Sequence, residues 1–229
     1  MAITESPADK YAFLFTGPAE LHYLTDLQNV FQTITEYYNY PAANITVVLG
    51  SDPAVAPSFP GATLVKITTE AQLTASLTAF ASNASGPTAS GIGSKTALLY
   101  FTGRAKLEGV SKLVIDGGDG SNNVDSDWLK AILSTFQNCH VNVVMQQGYS
   151  GGFKSAFTDP ALTLAQWSFT SACSDAEDSF TDESGGFFTN GWVRGLKLEA
   201  LPDDTPNAGE YADELGSVGD DTDRLVSLQ

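Results

Sequence analysis

Apolar residues in this chain fall into short runs, separated by stretches with helical spacing. Residues 10–15 (KYAFLF) form the first run, closed by Thr16-Gly17-Pro18, and predict a buried strand. Over residues 20–38, Leu24, Leu27, Val30, Phe31 and Ile34 recur at intervals of three and four, which predicts an amphipathic helix stopped by Pro41. Residues 45–49 (ITVVL) predict a second buried strand and residues 64–67 a short third. A helix follows over residues 70–81, with Leu73, Leu77 and Phe80 on one face. After a Gly/Ser/Ala connection (residues 82–94) come a uniformly apolar strand at residues 96–102 (TALLYFT) and a small auxiliary strand at residues 112–116. Residues 125–136 predict a helix with Trp128, Ile132 and Phe136 on one stripe. Strands follow at residues 141–145 and 162–170, then a last helix with Phe188, Trp192 and Leu196 inward.

Strands alternate with helices, and several strands are apolar on both faces. Parallel strands covered by helices on both sides satisfy that pattern, so the predicted fold class is α/β: a three-layer α/β/α sandwich with a mostly parallel central sheet. One domain spans residues 1–200. From residue 201 the composition turns to Asp, Glu, Gly and Pro, which predicts an acidic C-terminal tail over residues 201–229. Its apolar anchors are Tyr211, Leu215, Val218, Leu225 and Leu228, spaced to dock against the domain or a neighbouring subunit.

Composition narrows the partners. Net charge is −16, with 11 basic against 27 acidic residues, a balance that repels nucleic-acid phosphates and anionic lipid. No apolar run reaches the ~20 residues of a membrane-spanning helix. Residues 1–5 carry no basic and apolar leader pattern, which predicts a cytoplasmic protein and makes the Asn44-Ile45-Thr46 and Asn83-Ala84-Ser85 acceptor patterns chance matches. The expected partner is a protein, either foreign or a second copy in a homo-oligomer. The two cysteines, Cys139 and Cys173, make no disulfide framework, and the spacing leaves open whether they meet.

Ligands of open parallel sheets bind beyond the carboxyl ends of the strands, and two such ends carry unusual residues. One reads Tyr100-Phe101-Thr102-Gly103-Arg104-Ala105; the other reads Gln146-Gln147-Gly148-Tyr149-Ser150-Gly151-Gly152. Together they resemble the caspase/legumain clan of cysteine proteases. In that clan one strand ends in an aromatic-x-Ser/Thr-Gly-His-Gly run, and the next core strand in Asp-x-Cys-x-Ser-Gly-Gly. Here Arg104 stands at the histidine, Gly148 at the cysteine and Gln146 at the acid. The helix opening His22-Tyr23-Leu24-Thr25-Asp26 and the polar segment from Ser171 to Phe180 are also similar to the clan in order and spacing.

The resemblance implies a caspase-like fold without the activity. Glycine offers no nucleophile, and arginine is effectively always protonated, so it is no general base. The implied function is a pseudo-protease acting as a protein-binding or assembly module. Its former cleft comprises Gly103, Arg104, Gln146, Gly148, Ser150, Cys173 and Asp175, with no metal and no cofactor. Arg104 is expected near Ser150, pairing with Asp175, Glu177 and Asp178. The alternatives are a structural subunit of a homo-oligomeric assembly with tail exchange, and a hydrolase with unrecognised catalytic residues.

Other patterns are weaker. Gly148-x-Ser150-x-Gly152 matches the nucleophile elbow of α/β-hydrolases, but both histidines, His22 and His140, precede Ser150, against that fold's order. Cys139 and His140 are neighbours on an extended segment and point to opposite faces. Cys173 and His22 are both expected near the carboxyl edge, but a small buried thiol and a packed or exposed histidine is the plainer reading. The Asp/Asn-rich residues 116–127 offer oxygen ligands for calcium without the EF-hand spacing, and Asp125 or Ser126 reads as a helix N-cap. Core packing is the expectation for Trp128, Trp167 and Trp192.

Overall fold

The computed structural model describes residues 6–53, 57–86, 88, 94–116, 121–158 and 166–197. The tail with its anchors Tyr211, Leu215, Val218, Leu225 and Leu228, and residues 117–120 of the Asp/Asn-rich loop, lie outside the described residues.

In chain order the elements are β1 (Lys10–Thr16), α1 (Leu21–Tyr37), β2 (Ile45–Leu49), β3 (Thr63–Lys66), α2 (Glu70–Ala84), β4 (Lys95–Thr102), β5 (Ala105–Glu108), β6 (Val110–Val114) and β7 (Asn123–Val124). Then come α3 (Ser126–Leu133), β8 (Cys139–Met145), a 3-10 helix (Ser150–Phe157), β9 (Gln166–Ser171), β10 (Thr181–Asp182), β11 (Gly185–Gly186) and α4 (Phe187–Leu196). A six-stranded sheet runs in the order β3-β2-β1-β4-β8-β9, with every neighbouring pair parallel. Helices flank it on both faces, so the fold is the three-layer α/β/α sandwich that the alternation of elements predicts.

Successive residues of each central strand serve two cores. Phe13, Phe15, Leu99, Phe101, Val143 and Met145 pack with Leu73, Leu77 and Phe80 of α2 and Ile132 of α3. Ala12, Leu14, Leu98, Tyr100 and Val144 pack on the opposite face with Leu27, Val30 and Ile34 of α1 and Trp192 of α4. A strand buried on both faces has no solvent side, which is why these segments read as continuous apolar runs rather than alternating ones. Each fully buried Phe or Leu contributes ~1.5–3 kcal/mol of transfer free energy. Asp125 caps α3, accepting from the backbone N–H groups of Asp127 at 3.0 Å and Trp128 at 3.1 Å.

Two expectations change. The auxiliary strand lies earlier, at Val110–Val114, in a separate three-stranded sheet, antiparallel to β5 and β7. Trp167 is not a core residue: it sits 47% exposed on the edge strand β9, its ring 4.7 Å from that of Phe157. An edge strand has one flank without a paired neighbour, so its large side chain is only half covered.

Candidate functional site

Strand order reverses direction between β1 and β4, where open parallel sheets of this kind form a ligand crevice at their carboxyl ends. Beside it, the ends of β1 and β2 are covered by the chain's own backbone. Carbonyl oxygens of Val114 and Ile115, at the end of β6, lie so close to Gly17 and Gly50 that a Cβ on either glycine would overlap them. The neighbouring rim over β4, β8 and β9 is the part that carries unusual side chains.

Consecutive sheet neighbours bring the expected cleft residues to this rim. Gly103 and Arg104 follow β4; Gln146, Gln147 and Gly148 follow β8; Cys173 and Asp175 follow β9. Backbone bonds knit the three ends together. Gln146 N–H donates to Phe101 O at 2.8 Å, Tyr149 N–H to Glu177 O at 2.7 Å, and Gly151 N–H to Cys173 O at 3.0 Å. Tyr149 itself adopts φ 56°, turning the chain sharply into the 3-10 helix and aiming the buried Ser150 at Cys173. Ser150 Oγ lies 3.5 Å from Cys173 Sγ, and that sulfur is 3.6 Å from Gln147 O. Burial pushes the Cys173 thiol up from its ordinary range, which outweighs the hydrogen bonds to Ser150 and Tyr149 that pull it down. It is a thiol, not a thiolate, at neutral pH.

Gly148 is defined by what faces it. A Cβ there would overlap Oδ1 of Asp178, so the carboxylate of Asp178 occupies the place that any side chain at position 148 would enter first. Arg104 does not pair with Asp175, Glu177 or Asp178 as expected; its guanidinium binds the carboxylate of Glu20. Sheet order explains the difference, because β1 neighbours β4 and so the β1–α1 connection carrying Glu20 lies beside the residue that follows β4. Tyr23 is packed among the same groups. Its hydroxyl is pushed up to about 12, by burial first and then by Glu20, with Asp178 and Asp26 adding and Arg104 opposing.

Beneath the rim lies a buried polar layer; sequence reasoning named Gln146 and the helix opening at Asp26 but not their burial with Tyr100, Thr102 and Thr189. Asp26 of α1, fully buried, accepts from Gly186 N–H at 2.7 Å and from the Thr102 hydroxyl at 2.9 Å. Burial pushes its carboxyl up to about 7; the two hydrogen bonds oppose that rise and Asp182 adds to it. Alongside, the Tyr100 and Thr189 hydroxyls are 2.6 Å apart, and Gln146 Oε1 accepts from Thr189 N–H at 2.8 Å and from its hydroxyl at 2.9 Å. Gln146 Nε2 and both amide atoms of Gln147 are buried without a hydrogen-bond partner among the described residues. An acidic residue among the apolar positions Leu24, Leu27 and Val30 of one helix is the sequence signal that marks this layer.

Neither histidine reaches Ser150 or Cys173 through any hydrogen bond. His22, in the first turn of α1, has Nε2 3.7 Å from Glu20 and its ring 3.9 Å from that of Tyr23. His140 and Cys139 open β8, at the other end of the sheet. Among the described residues no cluster of His, Cys, Asp and Glu could hold a metal ion, and no helix is long and apolar enough to cross a membrane. Comparison with protein-family models and with curated proteins returns no match. The rim thus offers a hydroxyl and a thiol touching each other, an arginine held by a glutamate, and no imidazole bonded to either possible nucleophile.

Proposed function

We propose that the chain is a non-catalytic relative of the caspase/legumain clan, a pseudo-protease that serves in the cytoplasm as a protein-binding or assembly module. The observation that carries this reading is that no imidazole among the described residues is hydrogen-bonded to Ser150 or Cys173, the two nucleophilic side chains at the rim, while Gly148 stands where the resemblance puts the nucleophile. The exposed Asp178 carboxylate lies against Gly148, so an acid rather than a sulfur faces the rim there. Arg104, at the position of the general base, is a permanent cation tied to Glu20. With 27 acidic residues against 11 basic, the partner is a protein rather than nucleic acid or anionic lipid.

A second reading, a homo-oligomeric assembly with tail exchange, is favoured by one feature. The edge strand β9 has no partner on its outer side among the described residues, and it carries the half-exposed Trp167. Two measurements test these readings. A panel of fluorogenic peptides and esters should show no turnover above buffer; turnover lost on Ser150→Ala or Cys173→Ala would overturn the first. Light scattering across a range of concentrations, for the full chain and for a chain ending at Leu201, reports on the second. A monomer at every concentration would rule out self-assembly and leave a foreign protein as the partner.

A further inference from the structure

At the opposite end of the sheet from the candidate site, α2 leans over β1 and β4 and leaves part of β2 and β3 uncovered. A cavity of about 540 Å³ opens there, within the ~300–1,000 Å³ of small-molecule sites. Its floor is Tyr11 of β1, Thr46 of β2, and Thr63 and Val65 of β3; its wall is Ser76, Phe80 and Asn83 of α2. The sequence keeps it open by placing short polar side chains where the same faces elsewhere carry core residues. Thr46 precedes Val48 on one face of β2, and Ser76 lies one turn before Phe80 on α2.

Most polar groups of this groove are unspent; Asn44, which also lines it, donates its amide to the carbonyls of Ala8 at 3.2 Å and Lys10 at 3.0 Å. The hydroxyls of Tyr11, Thr46, Thr63 and Ser76 and the side-chain amide of Asn83 have no hydrogen-bond partner among the described residues. Ser76 contrasts with its neighbours on α2: Thr78 and Ser82 donate to the carbonyls of Thr74 at 2.8 Å and Thr78 at 3.0 Å. No residue lining the cavity is charged, although charged residues make up 17% of the chain. The ammonium of Lys95 is held by the carbonyls of Asn83 and Ser85 at 2.9 Å each and lies 5.2 Å from the centre of the Tyr11 ring.

This chemistry selects its ligand. A cation finds no carboxylate in the groove, and an anion is repelled by the net charge of −16. β1 and β2 are paired on both sides, so an extended peptide could bond main chain only along the outer edge of β3, away from the hydroxyls of Tyr11 and Thr46. Hydroxyl and amide groups both donate and accept, as vicinal sugar hydroxyls do. The half-buried Tyr11 ring, packed edge-on against the buried Phe80 ring with centroids 6.4 Å apart, adds apolar surface for the C–H groups of a pyranose. We infer that this groove is a binding site for a neutral saccharide, independent of the rim over β4, β8 and β9.

The test is amide-shift NMR on the labelled full chain, with maltotriose, cellotriose and chitotriose as probes. Glucuronic acid, glucose 6-phosphate and a Gly-Ser tetrapeptide serve as controls. At least one neutral trisaccharide should give saturable shifts confined to amides of β2, β3 and α2 around the groove. Thr46→Val with Ser76→Ala, which removes two hydrogen-bonding groups, should weaken that binding about tenfold or more. Tyr11→Phe keeps the ring against Phe80 and removes one hydroxyl, so it provides a second weakened variant without emptying the core. Absence of groove shifts with every trisaccharide, unchanged affinity in the variants, or equal binding of a charged sugar or the peptide would overturn the assignment.

Discussion

Asp26→Asn separates the cost of the buried carboxyl from everything else in the fold. The carboxyl titrates at about 7 in the folded chain against 3.8 for the free side chain. Between those values the folded state keeps the proton and the unfolded state has lost it, so folding takes up a proton. The stabilising contribution is therefore complete below pH ~4, falls as pH rises, and is gone above pH ~7. Three decades of proton affinity at ~1.4 kcal/mol each make the swing ~4 kcal/mol. Asparagine mimics the protonated form: its Oδ1 accepts from Gly186 N–H, and its Nδ2 donates to Thr102 Oγ1 once that hydroxyl turns. Urea unfolding of both proteins from pH 4 to pH 9 reads the effect as a difference, which cancels the many surface carboxylates common to both. The two should be within ~1 kcal/mol of each other at pH 4, and the asparagine variant more stable by several kcal/mol at pH 8. A difference that does not change with pH, or a variant weaker than wild type at pH 8, would mean that burial does not hold the Asp26 carboxyl protonated.

Three further outcomes follow from the geometry. Gly50→Ala puts a methyl into the Ile115 carbonyl oxygen, backbone against backbone, and should cost ~3 kcal/mol in denaturant unfolding, at the upper end for overpacking. Asp125→Ala removes both side-chain bonds at the start of α3 and should cost ~1 kcal/mol by the same assay, with Asp125→Ser recovering most of it. The Arg104–Glu20 pair, with side chains 52% and 37% exposed, should show a coupling of ~0–1 kcal/mol in a double-mutant cycle, reduced by salt.

The layers of the fold were legible because burial on both faces writes itself as uninterrupted apolar runs, as in residues 96–102 and 141–145. β5 was not, since Ala105–Glu108 has four residues, two of them charged, and its pairing across Gly109 is set by the hairpin rather than by burial. Trp167 misled because tryptophan in a strand signals packing, while its exposure depends on β9 being an edge, which is a property of strand order. The partner of Arg104 was missed for the same reason. Acidic residues 175–178 were expected to serve it, but Glu20 stands closer through the pairing of β1 with β4, a neighbourhood invisible along the chain. Asp26 was visible as part of a helix opening, yet its burial depends on Gly186 N–H reaching it from 160 residues away.

Covalent labelling tests the non-catalytic reading most directly. The protein as it stands is incubated with peptidyl acyloxymethyl ketones and with a fluorophosphonate, and its intact mass is measured before and after. No stoichiometric adduct is expected, because Ser150 is fully buried against Cys173, the Cys173 thiol is held protonated, and no imidazole is bonded to either. A single adduct on Ser150 or Cys173, formed by the folded protein and abolished by substitution of that residue, would contradict it.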